Sequence, residues 1–380
     1  MAVESANNKK LAFLPSVSDR DFFICSVIVF LAIILAMIYI SSFFMNNESA
    51  TYDTGRFYAM AKVIVSGSTP YIAYQDPKPP LIFFTLTLPI LLGQQFLGGL
   101  VLVGICNLAS SILVMMIAWK LYGRLAGLIA GMLFTLNITW AQGYFVMTEP
   151  FTILFILIAT YLVLCDKNRY FIAGASAGIA IGFKQYALIT VPLLLLFMYL
   201  NKERQKIPAF ITGITIPLIA IFSVIFLVYG VQALDASMYW SFGVAEPYIS
   251  GQDINGIISS ETTNLLELAV NVFVAICIFI STALAMASFI KFKRLKTPEM
   301  YMVLSAVCFS FTLLIRQYLH YWLLALPFFA ILWAGWLFHD ERRGWIKRIK
   351  RLMGSGLDKD ILYDASTGNQ AAASEYYRSK

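Results

Sequence analysis

The sequence predicts an all-α fold, a polytopic transmembrane helical bundle of about ten spans with both termini cytoplasmic. Three observations carry that prediction. Hydrophobic residues fill 59% of the 380 positions and charged ones only 13%, against roughly 45–50% and 25% in ordinary soluble domains. The apolar residues fall into runs near spanning length, and the basic residues between the runs favour one side. The same composition excludes a soluble domain, which could not bury so much apolar surface, and a disordered chain.

The first run, 22–45, is longer than a signal-peptide core of roughly 7–15 residues, and no small-residue cleavage site follows it, so it reads as a retained span. Further runs lie near 96–119, 125–142, 150–165, 171–183, 186–200, 208–230, 265–290, 299–315 and 321–338. The stretch 80–92 follows Pro79-Pro80, is too short to span and reads as an interfacial helix within a first outer loop of about 46–95. The pair 171–200 is too long for one upright helix and short for two full spans. A single tilted helix would put Lys184 near the bilayer centre at a cost of about 2.5–3.5 kcal/mol, whereas a hairpin puts it at a tip.

Charge placement favours the hairpin. With it, all but five of the 28 basic residues collect on the cytoplasmic side, among them Lys120, Arg124, Lys167, Arg169, Lys202, Arg204 and Lys206. Residues 1–338 then form the transmembrane module, and 339–380 a basic cytoplasmic tail expected to be disordered towards its end. The run from Arg342 to Arg351 suits anionic lipid at roughly 1 kcal/mol per basic group, so the net charge of +7 calls for no nucleic acid. Cys25, Cys106, Cys165, Cys277 and Cys308 stand singly in or beside apolar runs and read as small hydrophobes. With only His320 and His339, a His-rich metal site is unavailable.

The five remaining basic residues are Arg56, Lys62, Lys78, Lys184 and Arg316, all outer, together with Asp53, Asp76, Glu149 and His320. Their convergence on one membrane surface is the functional signal. Asp53 reads either as a helix N-cap or as a carboxylate that takes a proton from an attacking hydroxyl, with Arg56 three residues on to orient it. Asp76-Pro77-Lys78-Pro79-Pro80 is a solvated corner or a rigid turn that fixes Lys78 and Asp76 against a polar ligand. Glu149, ahead of Pro150, suits a helix start. Lys184 either snorkels or faces a cavity. Arg316 and His320, four apart with Tyr318 and Tyr321 between and beside them, share a helix face or belong to an aromatic belt. The outer loop near 231–264, with Tyr239, Trp240, Glu246, Tyr248 and Asp253, is long enough to cover a site.

These residues resemble the GT-C superfamily of integral-membrane glycosyltransferases, most closely the dolichyl-phosphate-mannose protein mannosyltransferases and the lipid A aminoarabinose transferases. The resemblance rests on Asp53 after the first span, Gly67-Ser68-Thr69-Pro70-Tyr71, Lys78-Pro79-Pro80-Leu81, Glu149-Pro150, Lys184-Gln185 and the Arg316, His320, Tyr321 cluster. It implies a GT-C-like bundle and transfer of a sugar from a polyprenyl-phosphate donor to a lipid, glycan or protein hydroxyl. Asp53 would be the base and Lys78, Lys184 and Arg316 would contact the donor phosphate. Arg56, Tyr71, Asp76, Glu149, Gln185, Tyr318, His320 and Tyr321 would support or bind substrate. Direct displacement would invert the anomeric centre. No cofactor is obligatory, although the acids leave room for a divalent ion.

Two departures stand out: Thr54, not a second acid, follows Asp53, and the sequence is shorter than those of relatives with a large soluble C-terminal domain. Acceptor recognition is therefore expected to use the outer loops or a partner. The expected location is a plasma or inner membrane, or the ER membrane in a eukaryote, with the site on the outer face. A lipid-linked sugar transporter would need charges within spans and often inverted repeats. A non-catalytic subunit binding a lipid headgroup would use the same Lys and Arg.

Overall fold

The computed structural model describes residues 18–46, 52–166, 168–243, 298–315 and 319–352, with positions 279, 283 and 286. Among them every regular element is helical. In chain order these are α1 (Asp19–Asn46), α2 (Tyr52–Val65), α3 (Leu81–Leu91), α4 (Gln95–Tyr122), α5 (Arg124–Asn137) and α6 (Thr148–Tyr161). They continue with α7 (Tyr170–Phe183), α8 (Thr190–Leu200), α9 (Ile207–Tyr229), α10 (Val231–Met238), α11 (Pro298–Ile315) and α12 (Trp322–Leu352). The expected span 265–290 (apart from those three positions), Glu246, Tyr248, Asp253, Arg316, Tyr318 and the tail beyond 352 lie outside the described residues. By its packing the chain divides after Gly335, and the site described below lies in the first unit.

The helices follow the apolar runs closely, with two differences. The run 125–142 yields a helix only to Asn137, and the chain then turns through Gln142, whose φ is 53°. The expected last span begins at Trp322 but its helix continues to Leu352. Four of the described helical segments, Asp19–Ile40, Gln95–Tyr122, Thr148–Asp166 and Arg204–Tyr229, are long and apolar enough to cross a membrane. Shorter apolar helices accompany them, Leu81–Leu91 among them. The protein is an integral membrane protein with a helical fold.

Burial separates the helices by role. In the apolar stretch that contains α6, 72% of the residues are buried, against 17% in those of α1 and α9, which turn Ile28, Leu35, Ile219 and Leu227 outward. An apolar helix that exposes its apolar side chains is solvated by lipid, while α6 is wrapped by protein. α4 lies against α1, α5 and α6, and α7 against both α6 and α9. The α7–α9 contact is backbone to backbone. A Cβ at Gly174 would collide with the Phe210 carbonyl oxygen, one at Gly178 with that of Ile214, and one at Gly213 with that of Phe171. Small residues let helices approach where no hydrophobic effect drives them together.

The bundle has two chemically distinct ends. α4, at about 1.5 Å per residue, is roughly 42 Å long. Its first residue takes a hydrogen bond from the Tyr58 hydroxyl to the Gln95 carbonyl, 2.6 Å. Near its last turn, Arg124 pairs with Asp19 at 3.0 Å and lies over the Phe22 ring, while Lys120 lies over Tyr161. The chain also doubles back between α7 and α8. It breaks at Lys184 (φ −153°, ψ 124°), resumes as a 3-10 turn over Gln185–Ile189, and brings Glu203 close enough for its charge to act on Tyr170.

Candidate active site

The site is built at the α2 end of the bundle from four pieces of chain. The first is α2 and the loop after it. Asp53 falls in the first turn of α2, where a carboxylate is favoured by the helix dipole. Thr54 is buried and its hydroxyl donates to the Val146 carbonyl at 3.0 Å, anchoring the turn that carries Asp53 to the approach to α6. Phe57, Met60 and Ala61 are buried on the core stripe of the same helix.

The loop reverses through Gly67 (φ 75°) and Tyr71 (φ 64°), the latter a left-handed conformation uncommon for a bulky side chain. Tyr71 is 1% exposed, and its hydroxyl donates to the Lys78 carbonyl at 2.7 Å. Tyr71 thus supports the corner from inside. Burial pushes its phenol well above the ordinary value, so it remains a donor. The three prolines 77, 79 and 80 forbid helix until α3 starts at Leu81. Lys78 is buried at this corner, with its ammonium 5.9 Å from the Phe57 ring centroid.

Arg56 was expected to orient Asp53. In the structure it reaches the first loop: its Nε lies 3.1 Å from Asp76 Oδ2, and its Nη2 donates to the Gln75 carbonyl at 3.2 Å. The reason is the return of the loop, which carries Asp76 back over α2. Asp76 is 1% exposed, and its Oδ1 has no hydrogen-bond partner among the described residues. Burial raises its carboxyl above the ordinary 3.8, against the opposing pull of Lys78 and Arg56.

The other pieces are the start of α6, the end of α7 and the start of α12. Pro150 fits the first turn of α6, which needs no proline N–H, and Glu149 just before it is buried. The extended backbone at Lys184 sends its side chain across to Glu149, where Nζ pairs with Oε1. Thr148 Oγ1 donates to Glu149 Oε2 at 3.0 Å and lies 3.5 Å from Lys184 Nζ. His320, in the 3-10 turn Leu319–Tyr321, places Nε2 3.7 Å from Glu149 Oε1. Two rings complete the enclosure of the ammonium: Tyr321 at 4.1 Å and Tyr186 at 5.4 Å, packed edge-to-face on each other. Lys184 is 1% exposed.

The four pieces interact. Asp53 acts electrostatically on Asp76, Lys184 and His320, and Lys78 acts on all three as well. Gln185 Nε2 donates to the Pro77 carbonyl at 3.2 Å, tying the α7 break to the first loop. The structure therefore gathers Asp53, Arg56, Tyr71, Asp76, Lys78, Glu149, Lys184, Gln185, His320 and Tyr321 at one end of the bundle. Ala233 and Trp240, from α10 and the turn after it, pack on the core of Phe57, Tyr71 and Phe83 beneath the loop. Thr54, Thr148 and Tyr186 are participants that sequence reasoning missed, although each sits within two residues of a charge it singled out. Among the described residues no group of three or more His, Cys, Asp or Glu side chains is placed to hold a metal ion. Cys25, Cys106 and Cys308 are free thiols.

The described residues thus form a helical membrane fold with a buried cluster of acids and amines at one end. Residues 77–229 match the family model of the dolichyl-phosphate-mannose-protein mannosyltransferases, a segment that includes Lys78, Glu149 and Lys184. GPI mannosyltransferase 1 of Saccharomyces cerevisiae (strain ATCC 204508 / S288c) is 28% identical over 154 residues, which is 39% of this chain and 36% of that protein. The match thus spans about a third of that relative's length. A crystal structure of the Archaeoglobus fulgidus oligosaccharyltransferase, in complex with Zn and sulfate, overlaps 70% of this chain and 41% of its own. Its TM-score is 0.40 and its identity 14%. The two sequence matches bear out the resemblance to GT-C glycosyltransferases drawn from the motifs.

Proposed function

We propose that this protein is a GT-C glycosyltransferase that moves a sugar, a mannose by the names of the proteins it matches, from a polyprenyl-phosphate donor to an acceptor hydroxyl. The observation that carries the reading is the convergence of Asp53 with Lys78, Lys184 and His320 at one end of an apolar bundle. An acid beside several cations, at the edge of a lipid-solvated fold, suits a donor whose tail stays in the membrane and whose headgroup is anionic.

In the proposed reaction the acceptor oxygen attacks the anomeric carbon as the bond from that carbon to the phosphate oxygen breaks. Asp53 takes the hydroxyl proton, and the polyprenyl phosphate leaves with the bonding pair. Charge then grows on the phosphate, where ammonium groups lower the barrier. Lys78 and Lys184 supply that charge, joined by Arg316. One displacement inverts the anomeric centre. Asp76, Arg56, Tyr71 and Gln185 hold the first loop in shape for it, and the site faces the outer or luminal side.

The test supplies labelled polyprenyl-phosphate sugars to purified wild type and Asp53→Asn in lipid. Wild type consumes donor in the presence of acceptor, and Asp53→Asn loses turnover by roughly 100-fold or more, the scale of general-base catalysis. Undiminished turnover in the variant would refute the base assignment.

A further inference from the structure

We infer that Glu149 is a positioning residue, which aims Lys184 and His320 at the anionic headgroup of the donor and acts through Lys184. The inference rests on the glycosyltransferase reading and extends it to a residue that need not touch substrate.

The geometry shows one carboxylate serving three elements. Glu149 stands in the first turn of α6 and is 1% exposed. Its Oε1 meets Lys184 from the break after α7 and His320 from the turn before α12, and its Oε2 is held by the Thr148 hydroxyl at 3.0 Å. With Oε2 fixed by its neighbour, the carboxylate cannot rotate freely, and Oε1 is presented in one direction. At 1% exposure Lys184 is cut off from bulk solvent, and a buried ammonium without a counter-charge gives up its proton or its place. The rings of Tyr321 and Tyr186 hold the ammonium from other sides but carry no formal charge. Glu149, paired directly with Nζ, is therefore the principal counter-charge that keeps Lys184 cationic and in register.

The placement also explains why Lys184 stands where it can matter. Its backbone is extended at the break between α7 and the following 3-10 turn, and the next residue, Gln185, is bonded to the Pro77 carbonyl beside Lys78. Moving Lys184 would shift both the tyrosine pair and the loop that carries Lys78. Asp53 and Lys78 both act electrostatically on Lys184 and on His320, so a change at Glu149 is felt where the chemistry is proposed.

The experiment measures binding of a short-chain polyprenyl phosphate, without sugar, to the full chain in detergent, for wild type, Glu149→Gln, Glu149→Asp, Lys184→Gln and the Glu149→Gln, Lys184→Gln double variant. Removing one partner of a buried charge pair weakens binding by roughly tenfold or more, so Glu149→Gln and Lys184→Gln each lose about that factor. Glu149→Asp, which keeps the charge, recovers part of it. The double variant, which leaves no stranded charge and keeps the fold, binds no more weakly than Lys184→Gln alone. Wild-type binding in Glu149→Gln overturns the inference, as does a double variant whose loss is the product of the two single losses. Asp53→Asn, scored by turnover rather than by lipid-phosphate binding in the same preparation, tests the glycosyltransferase reading separately.

Discussion

Gln185 donates from its side-chain Nε2 to the carbonyl of Pro77 at 3.2 Å, joining two positions 108 residues apart. This bond links the break after α7 to the proline corner that carries Lys78. A neutral, partly buried hydrogen bond of this kind is worth about 1 kcal/mol, or roughly a fivefold effect. Gln185→Ala is expected to lower donor turnover by about that factor while leaving acceptor affinity unchanged. Steady-state kinetics with varied donor and varied acceptor check it, and an unchanged donor dependence would mean the corner stands without the bond.

Tyr71 is the internal prop of the same corner. Replacing it by Phe removes the bond to the Lys78 carbonyl and leaves that oxygen buried, a loss of about 1–3 kcal/mol. Tyr71→Phe should therefore lower the midpoint of thermal unfolding, read by the detergent-solubilised protein's melting curve. A midpoint equal to that of wild type would show that water or a neighbour replaces the hydroxyl.

The candidate site was legible because charge is scarce in this chain. Asp53, Lys78, Glu149, Lys184 and His320 could be picked out one by one once the basic residues of the other side were set aside. What could not be read was how they pair. Arg56 sits three residues after Asp53, and helix spacing alone suggested that pair. The loop from Gly67 to Pro80 brings Asp76 back to Arg56, and no local pattern encodes that return. The rings around Lys184 come from Tyr186 and Tyr321, whose meeting depends on where α7 breaks and α12 begins. The helices were legible from hydropathy, since each apolar run is close to one helix. Their neighbours were not, because Gly174, Gly178 and Gly213 carry the α7–α9 contact without any hydrophobic signature.

Asp76 makes stability depend on pH. Burial raises its carboxyl above the ordinary 3.8, so the folded chain binds this proton more tightly than the unfolded chain does. Stability from this group is then full below the unfolded value and is lost as pH rises through the raised folded value, the direction set by proton linkage. Asp76→Asn removes that contribution. Its melting temperature, relative to wild type, should gain as pH is raised across the window that opens at the ordinary carboxyl value. Parallel pH profiles for the two proteins would show that Arg56 and Lys78 offset burial in full.

The α7–α9 seam should be the least tolerant part of the bundle to added volume. At Gly174 and Gly178 a new methyl meets backbone carbonyls, which cannot rotate aside as a side chain could. Gly174→Ala and Gly178→Ala are each expected to cost about 1–3 kcal/mol from overpacking. Gly55, in α2, has nothing within 4 Å of where a methyl would sit, so Gly55→Ala should instead gain up to about 1 kcal/mol of helix propensity. Thermal unfolding of the three variants in one detergent checks the contrast. Because α7 ends at Lys184, the seam variants should also weaken lipid-phosphate binding, and Gly55→Ala serves as the stability reference. Equal melting temperatures in all three would mean that α9 slides along α7 to make room, and that the two helices are not locked in register by their glycines.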